Sequence, residues 1–552
     1  MLIITYNLVG YEQGARGQAN WRVHSLRINY CKRERELNNA RFGEGPCSPD
    51  PVSFHVYLIK VRQNLSRAYS IIIEMKVFLI FPAPEFIHQK FSTPTFSPPL
   101  GLLYIASSLR EAGVEVRLTD QLGEKIPDEK LLKRVERYSP EVVGLSMMTW
   151  QATKAAKLAA MIKERLPETH IVFGGVHATL NVERMMSKYI QIDSTIEGEG
   201  ELSMVELVRA LEHGDCIQTV PGIYYRENGN VKRGAPRRLI TDLDSLPLPA
   251  MDLVKTDWYG QVEGLRWPAV ASMVTSRGCP FSCTFCCCNQ FAGRKWRFRS
   301  PESVVDEIEN LLAAGFKTIF FVDDCFTLNK KRILRISELI KKRRLEFSWL
   351  CEGRVDQIDY QTIRSMVTSG CTLIYLGLES ANQRILDYYR KRITPQMGVQ
   401  AVKTSRRAGM DIILGTFIIG APGETMREVQ NTIDFSLKLD IDFPQLNILG
   451  ALPGTEIWDQ LVSQQYIDPE VYWETGVHIP DVHPNSVKTD ILERLISEGY
   501  ERFIRRKKYL LKEILLTLKS RYRMKLFLRN VRHGGEILAY AKGELDVNEE
   551  KH

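Results

Sequence analysis

The chain has 552 residues, 44% hydrophobic and 25% charged, with a mean hydropathy of −0.19 and a formal net charge of +8. That length implies several domains, each burying its own core; no run of about 18 apolar residues is present, which excludes a membrane-spanning helix. The modest charge gives no reason to expect a nucleic-acid partner, and eleven cysteines in so long a chain are no disulfide scaffold.

In chain order, residues 1–74 lack period-2 or period-3.6 patterning and match no signal peptide, so they read as a disordered or mis-started extension. Alternation then begins sharply. Strands are expected at Val77–Phe81, Val114–Leu118, Val142–Ser146 and Ile171–Phe173, with helices at Leu102–Ala112, Asp128–Tyr138 and Lys154–Leu166. Short wholly apolar strands separated by helices predict a parallel sheet covered on both faces over 75–215, with ligands beyond the strands' carboxyl ends. Residues 216–268 hold two short strand-like runs, Gly222-Ile-Tyr-Tyr225 and one at Val231, then Leu246-Pro-Leu-Pro-Ala250, and read as a connector. From 269 to 470 six further strand-helix repeats predict a partial barrel of parallel strands. Residues 471–552 read as a basic helical region: either a solvated cover on the barrel's edge, or an attachment to an anionic membrane surface or acidic substrate.

The strongest chemical signal follows the strand Ala269–Val274, in Gly278-Cys-Pro-Phe-Ser-Cys-Thr-Phe-Cys286. Cys279, Cys283 and Cys286 are three thiols on one tight loop, able to hold three irons of a cubane and leave the fourth without a protein ligand. Structural zinc prefers four ligands in paired knuckles, and no second CxxC pair exists. Cys287 gives a competing CxxxC with Cys283, but only Cys286 is preceded by an aromatic, Phe285.

The pattern CxxxCxΦC, with Φ aromatic, resembles the radical S-adenosylmethionine (SAM) superfamily. The stretches Pro98-Pro-Leu-Gly-Leu-Leu103, Gly144-Leu-Ser-Met, Gly174-Gly-Val-His-Ala178 and Glu197-Gly-Glu-Gly-Glu201 resemble the cobalamin-binding domain of its B12-dependent class. The resemblance implies a Rossmann-like cobalamin domain followed by a (β/α)6 barrel. It also implies a [4Fe–4S] cluster on Cys279, Cys283 and Cys286, SAM chelated by the open iron, and cobalamin. SAM contacts are implied for Phe285, Asp323, Asp324, Arg354, Glu379, Ser380 and Gly420, with the Asp323 loop near its amino group and Gly420 near adenine. Cobalamin contacts are implied for Ser146, Gly174, Gly175, His177, Glu197 and Gly198. No DxHxxG motif occurs in the first loop, so a histidine below cobalt is not expected, and loss of cobalamin from this domain stays open. Cys325 reads as a partly buried thiol.

Family chemistry of this kind splits SAM reductively and activates an unactivated carbon for methylation, cyclisation or oxidation. It implies a flavodoxin- or ferredoxin-type reductant, a small-molecule or lipid substrate and a reducing, cytoplasmic setting. Methylthiotransfer would want three more cysteines upstream, where 75–270 holds only Cys216. An electron carrier would close its cluster with four, so that reading and a corrinoid sensor stand behind the enzyme.

Overall fold

The computed structural model describes residues 75–84, 97–262, 265–470 and 487–531. The expectation for residues 1–74 lies outside the described residues, and so do His88, the first loop's one histidine, and Asp481-Val-His483, a partial match to DxHxxG.

The first sheet has seven strands. Four that the sequence predicts are β1 (Lys76–Phe81), β2 (Glu115–Asp120), β3 (Val142–Ser146) and β4 (His170–Gly174); β5 (Ser194–Ile196) follows. They pair in parallel in the order β2-β1-β3-β4-β5. Val77, Ile80, Val142, Val143, Ile171 and Phe173 are wholly buried, because helices cover both faces. The covering helices include α1 (Leu100–Glu111), α2 (Asp128–Tyr138), α3 (Ala152–Arg165), α4 (Val176–Leu180) and α5 (Gly200–His213).

Part of the supposed connector belongs to this sheet. Strands β6 (Ile223–Glu227) and β7 (Asn230–Arg233) add to it antiparallel, after β5. Their amphipathic, tyrosine-rich pattern needs a sheet edge to cover it, which a free linker lacks; Ile223 and Tyr225 pack into the core beside Ile196. The stretch that follows is clamped too. Ser107 donates to the Leu248 carbonyl at 2.5 Å, and the buried Tyr259 hydroxyl donates to Asp120 at 2.9 Å.

The second sheet has six parallel strands in sequential order: β8 (Val270–Met273), β9 (Thr318–Phe321), β10 (Ser348–Arg354), β11 (Cys371–Glu379), β12 (Ile412–Ile419) and β13 (Phe443–Ile448). Helices between them start where capping chemistry is strongest. Ser300 caps α6 (Pro301–Ala313), with Pro301 at its first position. Asn329 caps α7 (Lys330–Lys342), Thr394 caps α8 (Pro395–Arg407), and a Thr425–Glu428 capping box opens α9 (Met426–Lys438). Stacked Phe321 and Phe326, 5.0 Å apart, and an edge-on Trp349 anchor the core between sheet and helices.

The basic tail forms α10 (Thr489–Ile504), α11 (Lys507–Lys519) and α12 (Arg521–Val531). Its cations bind barrel acids: Arg502 with Asp434 at 2.7 Å, Lys512 with Asp440 at 2.6 Å, and the buried Arg523 with Asp411 and Asp442 at 2.7 and 2.8 Å.

Candidate active site

The loop carrying the cysteines begins at β8 and is closed at its base by a two-residue antiparallel pairing, Ser276 with Phe298 and Arg277 with Arg297. Gly278 sits at φ +86°, and a Cβ there would stand 2.5 Å from the Lys295 carbonyl oxygen, so only glycine admits this closure. The Cys286 amide donates to the Cys283 carbonyl at 3.1 Å, tightening the turn, and Thr284 is tied to the Tyr388 and Tyr389 carbonyls. All three thiols are free of disulfides.

Their surroundings are cationic. The Arg354 guanidinium lies 3.6 Å from the centre of the Phe281 ring, pairs with Asp356 and donates to the Lys391 carbonyl at 2.8 Å. The buried Lys391 ammonium stands 2.6 Å from Glu379 and 5.8 Å from the centre of the Phe285 ring. Burial alone would lower its pKa, but the Glu379 carboxylate and the nearby Cys283 raise it above the ordinary lysine value. The Cys279 thiol is lowered to about 7, first by a hydrogen bond involving Cys325, against the opposing effect of burial.

Glu379 reaches Lys391 through a register shift at the end of β11, with its own φ at +61°. A Cβ on Gly377 would meet the Glu379 carboxylate at 2.7 Å and the Lys391 ammonium at 2.9 Å, so that glycine makes room for the pair. Lys391 is absent from the sequence reading. It lies within Arg390-Lys-Arg392, and sequence cannot say which of three successive cations turns inward; Arg390 instead pairs with Glu456 on the outside.

Several implied SAM contacts have other duties. Asp323 is buried and accepts from the Thr275 amide (2.6 Å), the Thr275 hydroxyl (2.5 Å) and the Ser276 hydroxyl (2.6 Å), so it braces the entry to the cysteine loop. Asp324 is exposed and accepts from the Gly278 amide at 2.7 Å, orienting the residue before Cys279. The Ser380 hydroxyl lies in a buried network with Thr432 (3.2 Å) and Asn382. Gly420, at φ +85°, points its missing Cβ at Leu492 of α10, 2.8 Å away, so helix packing accounts for it. Its amide and that of Ala421 donate to Glu424, whose burial raises its pKa to about 7.

The implied cobalamin residues divide similarly. At the carboxyl ends of β3 and β4, nothing lies within 4 Å of a Cβ built on Gly174, and in the loop after β3 Met148 and Trp150 are 37% and 51% exposed. Gly175 differs: at φ +93° its Cβ would strike the Met147 backbone at 2.8 Å and the Ser146 hydroxyl at 2.9 Å. That glycine therefore serves the close approach of two loops. His177 is buried on α4, its amide donating to the Met147 carbonyl. Glu197 pairs with Arg233 and Arg237, and the Gly198 amide donates to Thr179 at 2.9 Å.

The remaining acids of that motif reach across to the cysteine loop. Arg277 donates to Glu199 at 3.1 Å and to Glu201 at 2.6 Å, and Arg297 to Glu199 at 2.8 and 2.9 Å. Both arginines flank the base of the cysteine loop, so the ligand ends of the two sheets are locked face to face.

The donor chemistry fits the implied groups. Among the described residues no three Cys, His, Asp or Glu side chains close on one point as a single ion requires; a cubane offers separate irons to separate sulfurs and tolerates wider spacing. Cys279, Cys283 and Cys286 would hold it, and Arg354 and Lys391 would balance anionic charge there. The open space at Gly174, whose carbonyl accepts from the Met147 amide in the loop that exposes Met148 and Trp150, suits a broad flat ligand.

Fold and site define an α/β protein in which a nucleotide-type sheet faces a cysteine-bearing barrel. Comparisons agree. Residues 273–436 match the radical SAM superfamily model and residues 91–208 the B12 binding domain model. The chain is 38% identical over 445 residues to the uncharacterized methyltransferase PH0819 of Pyrococcus horikoshii, covering 80% of this chain and 95% of that one. It is 27% identical to the hopanoid C-3 methylase of Methylococcus capsulatus, covering 75% and 79% of the two chains. The methyltransferase TsrM from Kitasatospora setae, solved with cobalamin and a [4Fe–4S] cluster, shares the fold at a TM-score of 0.60 and 19% identity, over 71% of this chain and 75% of that one. This chain belongs to the cobalamin-dependent radical SAM enzymes, whose cofactors are a [4Fe–4S] cluster, SAM and cobalamin.

Proposed function

We propose that this enzyme methylates an unactivated carbon of a small molecule or lipid. When bound, the cluster and SAM supply a route to an activated carbon, and cobalamin a methyl carrier. The observation that carries the reading is the Arg277–Glu199–Glu201–Arg297 bridge, which holds the cobalamin-side loop against the cysteine loop. Two cofactors that must act on one substrate need that fixed separation.

In this reading Cys279, Cys283 and Cys286 hold the cluster and Phe285 flanks SAM. Arg354 and Lys391 provide positive charge toward anionic groups, while Asp324 sets the start of the loop. Tyr389, wholly buried and edge-on to Phe285 at 5.1 Å, stiffens the aromatic wall that excludes water. Single electrons come from a flavodoxin- or ferredoxin-type protein in a reducing cytoplasm, and the enzyme works in peripheral contact with a membrane.

The test is anaerobic reconstitution with iron, sulfide and cobalamin, followed by reductant and SAM carrying a deuterated methyl group. The expected result is 5′-deoxyadenosine together with label on a carbon of an added candidate acceptor. Deoxyadenosine with label never leaving SAM would overturn methyl transfer in favour of cyclisation or oxidation.

A further inference from the structure

Helix α11 is turned inside out. On the side toward the barrel it places polar groups: Tyr509 donates to the Asp442 carbonyl at 2.9 Å, Lys512 pairs with Asp440, and Glu513 pairs with Arg523 at 2.6 Å. On the outer side Leu510, Leu511, Ile514, Leu515 and Leu518 follow the i, i+1, i+4, i+5, i+8 spacing of one helical face. Leu511, Ile514 and Leu518 are 61%, 59% and 67% exposed. Phe527 and Leu528 of α12, the helix packed against α11, are exposed as well. An amphipathic helix in a globular protein ordinarily turns that stripe inward, and so many large apolar side chains left together mark an interaction surface.

The charge around the stripe selects its partner. Between Arg505 and Leu528 the chain carries nine Lys and Arg against one acid, Glu513, and that acid is already paired inward. Exposed Lys507, Lys519, Arg521 and Lys525 lie along the stripe and its ends. At the α10–α11 turn Arg505 and Arg506, both within that count, line a cavity of about 520 Å³ with Leu437, Glu501 and Arg502. A second copy would bring like charge against like charge. Among the described residues no helix is long and apolar enough to cross a bilayer, so contact is in the plane of the surface.

We infer that the outer face of α11, together with Phe527 and Leu528, docks on an anionic lipid bilayer, leucines in the acyl boundary and lysines at the headgroups. This deepens the peripheral-contact part of the proposed function by naming the surface. It also reassigns the tail's charge, since Arg502, Lys512 and Arg523 fasten the helices to the barrel instead. The arrangement suits a substrate drawn from the bilayer.

The experiment is co-sedimentation of the full chain with phosphatidylcholine vesicles, with and without about 30% phosphatidylglycerol, at low salt and at about 0.5 M salt. Wild type should favour the anionic vesicles by about tenfold and lose that preference at high salt. The variant L511E/I514E/L518E, altered only at exposed positions, should fold normally by circular dichroism and lose about tenfold in binding. An I514W variant should show a blue-shifted emission on the anionic vesicles only. Equal sedimentation of wild type and triple variant overturns the proposal. So does a wild-type dimer that the triple variant abolishes without any vesicle binding, or binding that appears only when residues 532–552 are removed. Vesicle binding is measured without turnover, so its failure leaves the methyl-transfer reading untouched.

Discussion

Replacing Arg277 with methionine removes the cation that Glu201 holds, while Glu199 keeps Arg297. The side chains concerned are 15% (Arg277), 6% (Glu201), 8% (Glu199) and 2% (Arg297) exposed, so solvent does little to screen them. Stranding one buried carboxylate in this way costs about 3 kcal/mol. Adding Glu201→Gln replaces the charge by a neutral amide and should return about 2 kcal/mol, read as the coupling in a double-mutant cycle. For a folding unit of about 200 residues R277M then lowers the thermal midpoint by about 6–10 °C, and R277M/E201Q by about a third as much. The assay is thermal unfolding of cofactor-free protein, with corrinoid retention measured in parallel on the reconstituted variants. Loosening the lock should reduce corrinoid retention in R277M while iron content stays at the wild-type level. A midpoint within about 1 °C of wild type, or losses that simply add in the double variant, would refute the claim that this bridge carries stability between the two sheets.

Cys283→Ala and Cys286→Ala should each abolish iron retention after anaerobic reconstitution, whereas Cys287→Ala should keep it; iron and sulfide analysis decides between Cys286 and Cys287. Gly175→Ala should destabilise the fold by about 1–3 kcal/mol, because its Cβ meets backbone at 2.8 Å and φ is +93°. Gly174→Ala, facing open space, should leave the thermal midpoint unchanged and weaken corrinoid binding, measured by equilibrium dialysis. Burial raises the Glu424 pKa from 4.5 to about 7, so the folded state keeps a proton that the unfolded chain releases. The stabilising effect of that proton is complete below pH 4.5 and is lost as pH rises through 7, about 3 kcal/mol in all. Thermal midpoints of wild type should therefore fall relative to Glu424→Gln between pH 5 and pH 8, and parallel curves would falsify that assignment.

Asp128–Tyr138 and Val142–Ser146 appear in the structure at the bounds the sequence implies. Apolar runs, N-caps and terminal glycines are local signals, and parallel strands buried on both faces need little else. The cysteine loop is legible for the same reason, since its ligands lie within eight residues of one another. Strand–edge pairing is not local: the strand-like run at Gly222–Tyr225 does not reveal its partner until β5 is found beside it.

The amino-acid order by itself thus determined two α/β units in series and a three-thiol loop ready to leave one iron open, because each rests on contacts between near neighbours in the chain. Only the tertiary structure decided which polar groups serve the site and which serve the scaffold. It turned Lys391 inward and Arg390 outward, filled the space above Gly175 with protein and left that above Gly174 open, and spent Asp323 on the loop's own backbone. It also joined Glu199 and Glu201 to Arg277, 76 or more residues later in the chain. A buried charge is settled by whichever opposite charge folding brings within reach, and that depends on distances in space that spacing along the chain does not encode.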